Sequence, residues 1–405
     1  MTTSANANQA PLPVLWIMVM GVMIAIGPLA IDMYLPALPS MAGEFGVSVA
    51  DISKSVPFYF IGLVFGQLIY GPLSDRVGRV LPMYVGMAIF IGASVVCAMT
   101  TDVYVLFVAR TVQALGACVT AVVTRACIRD TLTPVQSARA FSLMVLVMGI
   151  APILAPSLGA VILKLGDWHG LFWFLASYGV LNVILTKLFL KETLTPANRN
   201  TAPISTTLTG YVDLLKDKTF IIPALAGGLL QGAFFIYLSI SSELFMVHFG
   251  LSEKNFAIAF GANAFGFVAL TQLNQFLTRR FRLVQLLRFG AFMQLSFALC
   301  LLALGLTHGE FWWVYACLFL CIAGLGLTQP NAGAIALAFQ KKRAGMASAL
   351  QGSLQFSVGI FGGLLLSLFD VSPVVKLGIT TTVLVFIGTV LVCRLDPKLD
   401  LSKMD

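Results

Sequence analysis

Gly71-Pro72-Leu73-Ser74-Asp75-Arg76-Val77-Gly78-Arg79 is a charged, glycine-punctuated stretch wedged between two long apolar runs. So short a connection has to reverse the chain between two membrane helices. Its glycines let backbones approach closely, and Asp75, Arg76 and Arg79 hold the turn out of hydrocarbon. A plain polar turn explains the arginines but not the ordered Gly-x-x-x-Asp-Arg-x-Gly-Arg spacing. That spacing marks Gly71, Asp75, Arg76, Gly78 and Arg79 as candidates for a conformational latch.

The composition agrees with a membrane on both sides of the stretch. Of 405 residues, 59% are hydrophobic and 10% charged, against roughly 25% charged in ordinary soluble domains. At about 20 residues per span, the apolar runs predict twelve helices. They fall at 14–36, 54–72, 81–100, 103–125, 138–162, 171–190, 220–246, 255–278, 288–306, 311–338, 345–369 and 376–394. The fold class is therefore an all-α membrane protein. Residues 1–13 carry no Lys or Arg, so the first span is expected to stay in the mature chain rather than act as a cleaved signal.

The net charge of +8 does not point to nucleic acid, because the bases sit at the ends of apolar runs. With an even span count, twenty Lys and Arg fall on the side of the termini and four on the other. This bias predicts that both termini are cytoplasmic. The longest polar connection, residues 191–219, divides the spans six and six. It separates an N-terminal bundle, 1–190, from a C-terminal bundle, 220–405. Within the connection, Tyr211–Lys218 reads either as an amphipathic helix on the membrane surface or as a solvated linker. The seven cysteines lie almost entirely inside apolar runs and read as small buried residues, with no metal or disulfide pattern.

Two charges fall inside predicted spans. Asp32 is the only carboxylate in the first six, and a charged Asp at a span centre costs roughly 3 kcal/mol. Arg110 lies at comparable depth and reads as its matching cation, either facing inward or bonded to backbone carbonyls. Span five carries Gly149, Pro152, Pro156 and Gly159; two prolines four apart remove helix hydrogen bonds and suggest a hinge. Most polar side chains of the second half are expected to be interhelical bonds. The candidates for a substrate cavity are Tyr34, Tyr59, Gln113, Gln231, Phe235, Tyr237, Asn263 and Gln329. No nucleotide loop, nucleophile elbow or metal cluster is visible, and no cofactor is expected.

The run Ala30-Ile31-Asp32-Met33-Tyr34-Leu35-Pro36-Ala37-Leu38-Pro39, the 71–79 stretch, Arg110 with Gln113, and Ala151-Pro152 through Gly159 together resemble the Bcr/CflA branch of the major facilitator superfamily. The resemblance implies two six-helix bundles that rock around a central cavity in a bacterial inner membrane, as a monomeric drug:proton antiporter. It implies export of chloramphenicol- or bicyclomycin-type small molecules, with protons and the lipid bilayer as the other partners. It places Asp32 and Arg110 in proton coupling, Pro156 at the antiporter bend, and Asp75 against the N-terminus of span eleven. Three positions depart from the pattern: Val80 where a base is frequent, Ala160 where glycine is, and Ile24 where some relatives have a second carboxylate. A transporter of an endogenous metabolite on the same scaffold is the alternative. An enzyme would need a convergent nucleophile, base or metal, and a passive channel would need rings of pore-lining groups.

Overall fold

The computed structural model describes residues 14–199, 201, 203–340 and 343–395. Among them, twelve long helical segments follow one another and no strand is present. They are Val14–Phe45, Val49–Val77, Val80–Met99, Val103–Thr131, Pro134–Leu165, His169–Phe189, Lys218–His248, Glu253–Leu277, Leu283–Leu306, Phe311–Ala338, Ala344–Ser367 and Pro373–Cys393. We number these spans one to twelve. All but the fifth are apolar over a length that crosses a bilayer; the described apolar part of span five is Ile150–Leu165. Large apolar side chains such as Val108, Leu165, Trp312 and Phe361 face outward, as a surface solvated by lipid requires. Cys300 and Cys393 are on that surface, so not all cysteines are buried.

Helix starts follow local chemistry. Asp102 accepts from the Tyr104 and Val105 amides at 2.7 and 3.1 Å to open span four, and Asp217 accepts from the Thr219 amide at 2.9 Å to open span seven. Each satisfies first-turn amides that have no partner within the helix. Pro28 has no amide for the Ile24 carbonyl and clashes with it. Span one accordingly breaks into Val14–Ile24 and Ile26–Asp32, leaving Asp32 at the end of the second piece.

The 71–79 stretch departs from the expected turn. Helix Ser55–Val77 runs through Pro72 and includes Asp75 and Arg76, so the reversal is confined to Gly78 and Arg79. Pro72 leaves the Leu68 carbonyl without its helical donor. The hydroxyl of Tyr211, on a separate helix Ile204–Lys216, reaches that carbonyl at 3.3 Å. This linker helix buries Tyr211 and Leu214 and exposes Leu208, Val212 and Leu215. It is an amphipathic element laid against spans two and eleven, not a solvated strand of linker.

Spans one to six pack among themselves, with two and three on four, three on six, and one on five; spans seven to twelve do likewise, with seven and nine on twelve. The two bundles meet where span two lies along eleven and span five along eight. Gly159 of span five sits where a Cβ would overlap the Met33 carbonyl of span one, so only glycine permits that approach.

Candidate functional site

A cavity of about 430 Å³ lies between the bundles, walled by spans one, two, four, five, seven, eight, ten and eleven. Its wall is mainly apolar, from Ile24 and Leu63 to Phe234, Phe235 and Phe356. Gln67, Gln231, Gln272, Gln329 and Gln355 add hydrogen-bonding points. Among the described lining residues the only carboxylate is Asp32 and the only cation Arg125.

Asp32 is 3% exposed. It lines this cavity, and no ion pair or hydrogen bond to its carboxyl is found among the described residues. Arg110 does not supply one. Its Nη1 donates to Gln113 Oε1 at 2.5 Å and its Nη2 to the Ala30 carbonyl at 2.8 Å. Its guanidinium lies over the rings of Tyr34 and Tyr59, 4.2 and 4.3 Å from their centroids. Gln113 in turn donates to Ser94 at 2.8 Å. Arg110 is thus fully buried and sandwiched, and it joins spans one, two, three and four without touching the cavity.

The expected matching of Asp32 with Arg110 is therefore corrected: the arginine binds neutral partners, and the carboxyl two residues beyond Ala30 is left to the cavity. The candidate wall needs the same correction. Gln231, Phe235 and Gln329 line the cavity, whereas Tyr34, Tyr59, Gln113, Tyr237 and Asn263 are all but completely buried. Their polar atoms mostly bind between helices: Tyr34 to Ser55 at 3.1 Å, and Asn263 to Tyr237 at 3.1 Å. Pro152 of the hinge candidates lines the cavity; Gly149, Pro156 and Gly159 lie on the same continuous helix.

Arg125 was counted from the sequence among the charges flanking the membrane. Span four runs on to Thr131, which puts Arg125 inside the helix, on the cavity face with Cys118 and Ala121. The spacing 118, 121, 125 is the one-face repeat of a helix and was the available clue.

The two ends of the cavity differ. At the end away from Asp75, Ser242 of span seven donates to the Leu35 carbonyl of span one at 2.5 Å and closes the bundles on each other. At the Asp75 end a second cavity of about 340 Å³ follows, and both are lined by Gln67, Arg125 and Ser348. Asp75 pairs with Arg79 at 2.6 Å, and Arg79 also meets Asp130 at 2.8 Å. Asp75 and the first residues of span eleven, Ala344 to Met346, line this second cavity together. The expected contact of Asp75 with the start of span eleven is thus not made here; space lies between them. Glu192 accepts the Arg79 amide at 2.9 Å and the Val80 amide at 3.3 Å. Partial burial opposes its charge, but bonds from the Arg79, Leu194 and Val80 amides, with Arg199 nearby, hold its carboxyl below the usual range. Gly78, at φ +102°, leaves the room Glu192 occupies.

The sequence profile of the Major Facilitator Superfamily matches residues 20–363. The chain is 32% identical over 370 residues to an uncharacterized MFS-type transporter, YdgK, of Bacillus subtilis (strain 168), covering 90% of this chain and 89% of that one. It is 25% identical to a bicyclomycin resistance protein homolog of Haemophilus influenzae over 89% of this chain and 91% of the relative. Multidrug resistance protein MdtL of Klebsiella pneumoniae (strain 342) is 32% identical over 57% of this chain and 58% of its own. Among solved structures, a bacterial homolog of the human lysosomal transporter Spinster, in an inward-facing and unoccupied conformation, superposes with TM-score 0.72 at 15% identity. It covers 95% of this chain and 97% of that one.

Proposed function

This chain belongs to the Major Facilitator Superfamily and is a multi-pass membrane transporter rather than an enzyme, and from that premise we propose that it exports drug-like small molecules in exchange for protons. The proposal places it in the Bcr/CflA branch and in a bacterial inner membrane, with the Asp75 end and both termini cytoplasmic. The twenty-to-four charge bias supports that orientation. Relatives named for bicyclomycin resistance and multidrug resistance support the substrate class. A largely apolar cavity of about 430 Å³ is of a size for one such molecule.

The observation that carries the reading is Asp32, a carboxyl in the cavity wall with no counter-ion among the described residues. Intramembrane carboxyls in such positions serve proton relays. With the cavity reached from the Asp75 end, a drug enters from that side and Asp32 gives up its proton. Closing that end and opening the Ser242 end then exposes Asp32 to be reloaded. The Asp75 contact with span eleven forms in that second state, as an acidic group at a helix N-terminus. One proton entering down about 100 mV and half a pH unit supplies roughly 3 kcal/mol, enough for a gradient of about 150-fold in a neutral drug.

Growth of a pump-deficient strain expressing the chain, across chloramphenicol, bicyclomycin and unrelated antibiotics, tests the substrate class. Raised tolerance to at least one of the first two, abolished by a protonophore, is the expected outcome. Unchanged tolerance to all would overturn drug export in favour of an endogenous metabolite.

A further inference from the structure

The narrowest shared wall of the two cavities is built from donors. Arg125 of span four, Gln67 of span two and Ser348 of span eleven line both spaces. No hydrogen bond or ion pair to Arg125 is found among the described residues, although the other arginine of that helix interior, Arg110, is fully engaged. The groups around the second cavity do not neutralise it. Arg79, Arg125 and Arg129 face Asp75 alone, and Asp75 is already paired with Arg79. A partly buried cation is normally paired or bonded; this one is left facing open space beside an amide and a hydroxyl that can also donate.

We propose that Arg125, with Gln67 and Ser348, forms a binding site for the anionic group of an amphipathic molecule at the mouth of the cavity. The ligand class is a carboxylate, sulfonate or phosphate attached to an apolar body. The charged end would sit on the guanidinium, which matches such oxyanions in shape, and the apolar body would extend toward Phe234, Phe235 and Phe356 on the cavity wall. This site is separate from the proton-carrying end. Arg125 lies fifteen residues beyond Arg110 on one helix, about 22 Å at 1.5 Å per residue, and Arg110 is level with Ala30 and so close to the depth of Asp32. Because Ser348 belongs to the second bundle, an anion held here joins both halves on the open side. The inference deepens the export reading and rests on it only for the direction of entry.

The test is equilibrium binding to the full chain in phosphatidylcholine nanodiscs, with two fluorescent probes differing by one sulfonate. These are 8-anilino-1-naphthalenesulfonate and its neutral parent, N-phenyl-1-naphthylamine, each corrected against empty discs. Arg125→Gln should weaken the sulfonate probe at least about tenfold, as loss of a charge-assisted bond does, and leave the neutral probe nearly unchanged. Arg125→Lys should recover part of the loss. Should Arg125→Gln fail to fold, Ser348→Ala and Gln67→Leu should each weaken only the sulfonate probe, by about threefold. Equal loss of both probes, no loss of either, or no saturable sulfonate binding to the parent would overturn the site. Adding phosphatidylglycerol to the discs separates the sources. Arg125-dependent displacement of the probe identifies a lipid headgroup as the occupant, and its absence identifies a dissolved amphiphile. Sulfonate binding without drug export would sink the export reading alone; export without Arg125-dependent binding would sink this inference alone.

Discussion

Each end of the cavity holds acid and base in close quarters, and the two ends pair them in opposite ways. Toward the closed end, Arg110 is fixed by a carbonyl, an amide and two tyrosine rings, so the carboxyl of Asp32 is the charge left over. Toward the open end, Asp75 is fixed by Arg79, and the guanidinium of Arg125 is left over. Neutral partners for a buried cation cost the protein specific geometry but leave a neighbouring carboxyl available. A titratable group bound to a permanent cation could not exchange its proton so freely. The closed end therefore suits proton exchange and the open end suits capture of a ligand.

The largest effect should come from breaking the closed-end cage. Arg110→Gln strips the Ala30 carbonyl and two ring faces of their partner, and should cost about 3 kcal/mol of stability along with all transport. Thermal unfolding in detergent, beside efflux in cells, measures both. Arg110→Lys should rescue little, since an ammonium cannot lie flat between two rings. A variant as stable and active as the parent would show that the cage does not position span one.

Asp75→Asn probes the open end and should act less on folding than on cycling. Its carboxylate is half exposed in the pair with Arg79, where such pairs contribute about 0–1 kcal/mol. Transport should slow several-fold while drug affinity stays within about twofold, because the lost helix-dipole contact of about 0.3–1 kcal/mol belongs to the other conformation. Normal turnover with an unchanged conformational equilibrium would reduce Asp75 to a helix-end residue.

Much of the scaffold was legible from residues alone. Apolar length gave the spans, and Pro28 and the caps gave their interruptions and starts. Asp32 stood out because no other acid lies in the first six predicted spans. What failed was the direction of polar side chains. Arg110 draws its partners from helices some 50 to 80 positions away, and no local pattern distinguishes a polar group bonded to a neighbouring helix from one facing a cavity. Tyr34, Tyr59 and Gln113 were misplaced for that reason. Arg125 was missed because the apolar run fades before the helix ends, and hydropathy measures the lipid-facing length rather than the helix.

The smallest effect belongs to Glu192, which ties the 78–80 turn to the chain after span six. Its carboxyl is held below the usual range in the folded protein. Its stabilising share is therefore complete above its unfolded value near 4.3 and is lost as pH falls through the lowered folded value. Glu192→Gln should unfold slightly earlier than the parent at pH 7, and the difference should close below about pH 4. A gap that stays constant with pH would mean the contact is one of shape alone.

The central claim is that Asp32 carries the coupled proton, and proton release from purified protein on addition of the exported drug tests it most directly. The parent should release protons in weakly buffered solution as drug is titrated in. Asp32→Asn should bind the same drug, release none, and fail to drive uphill efflux. Proton release and uphill pumping by Asp32→Asn at the parent's level would contradict the account and shift attention to Glu243, which faces Lys376 at 3.6 Å near the closed end.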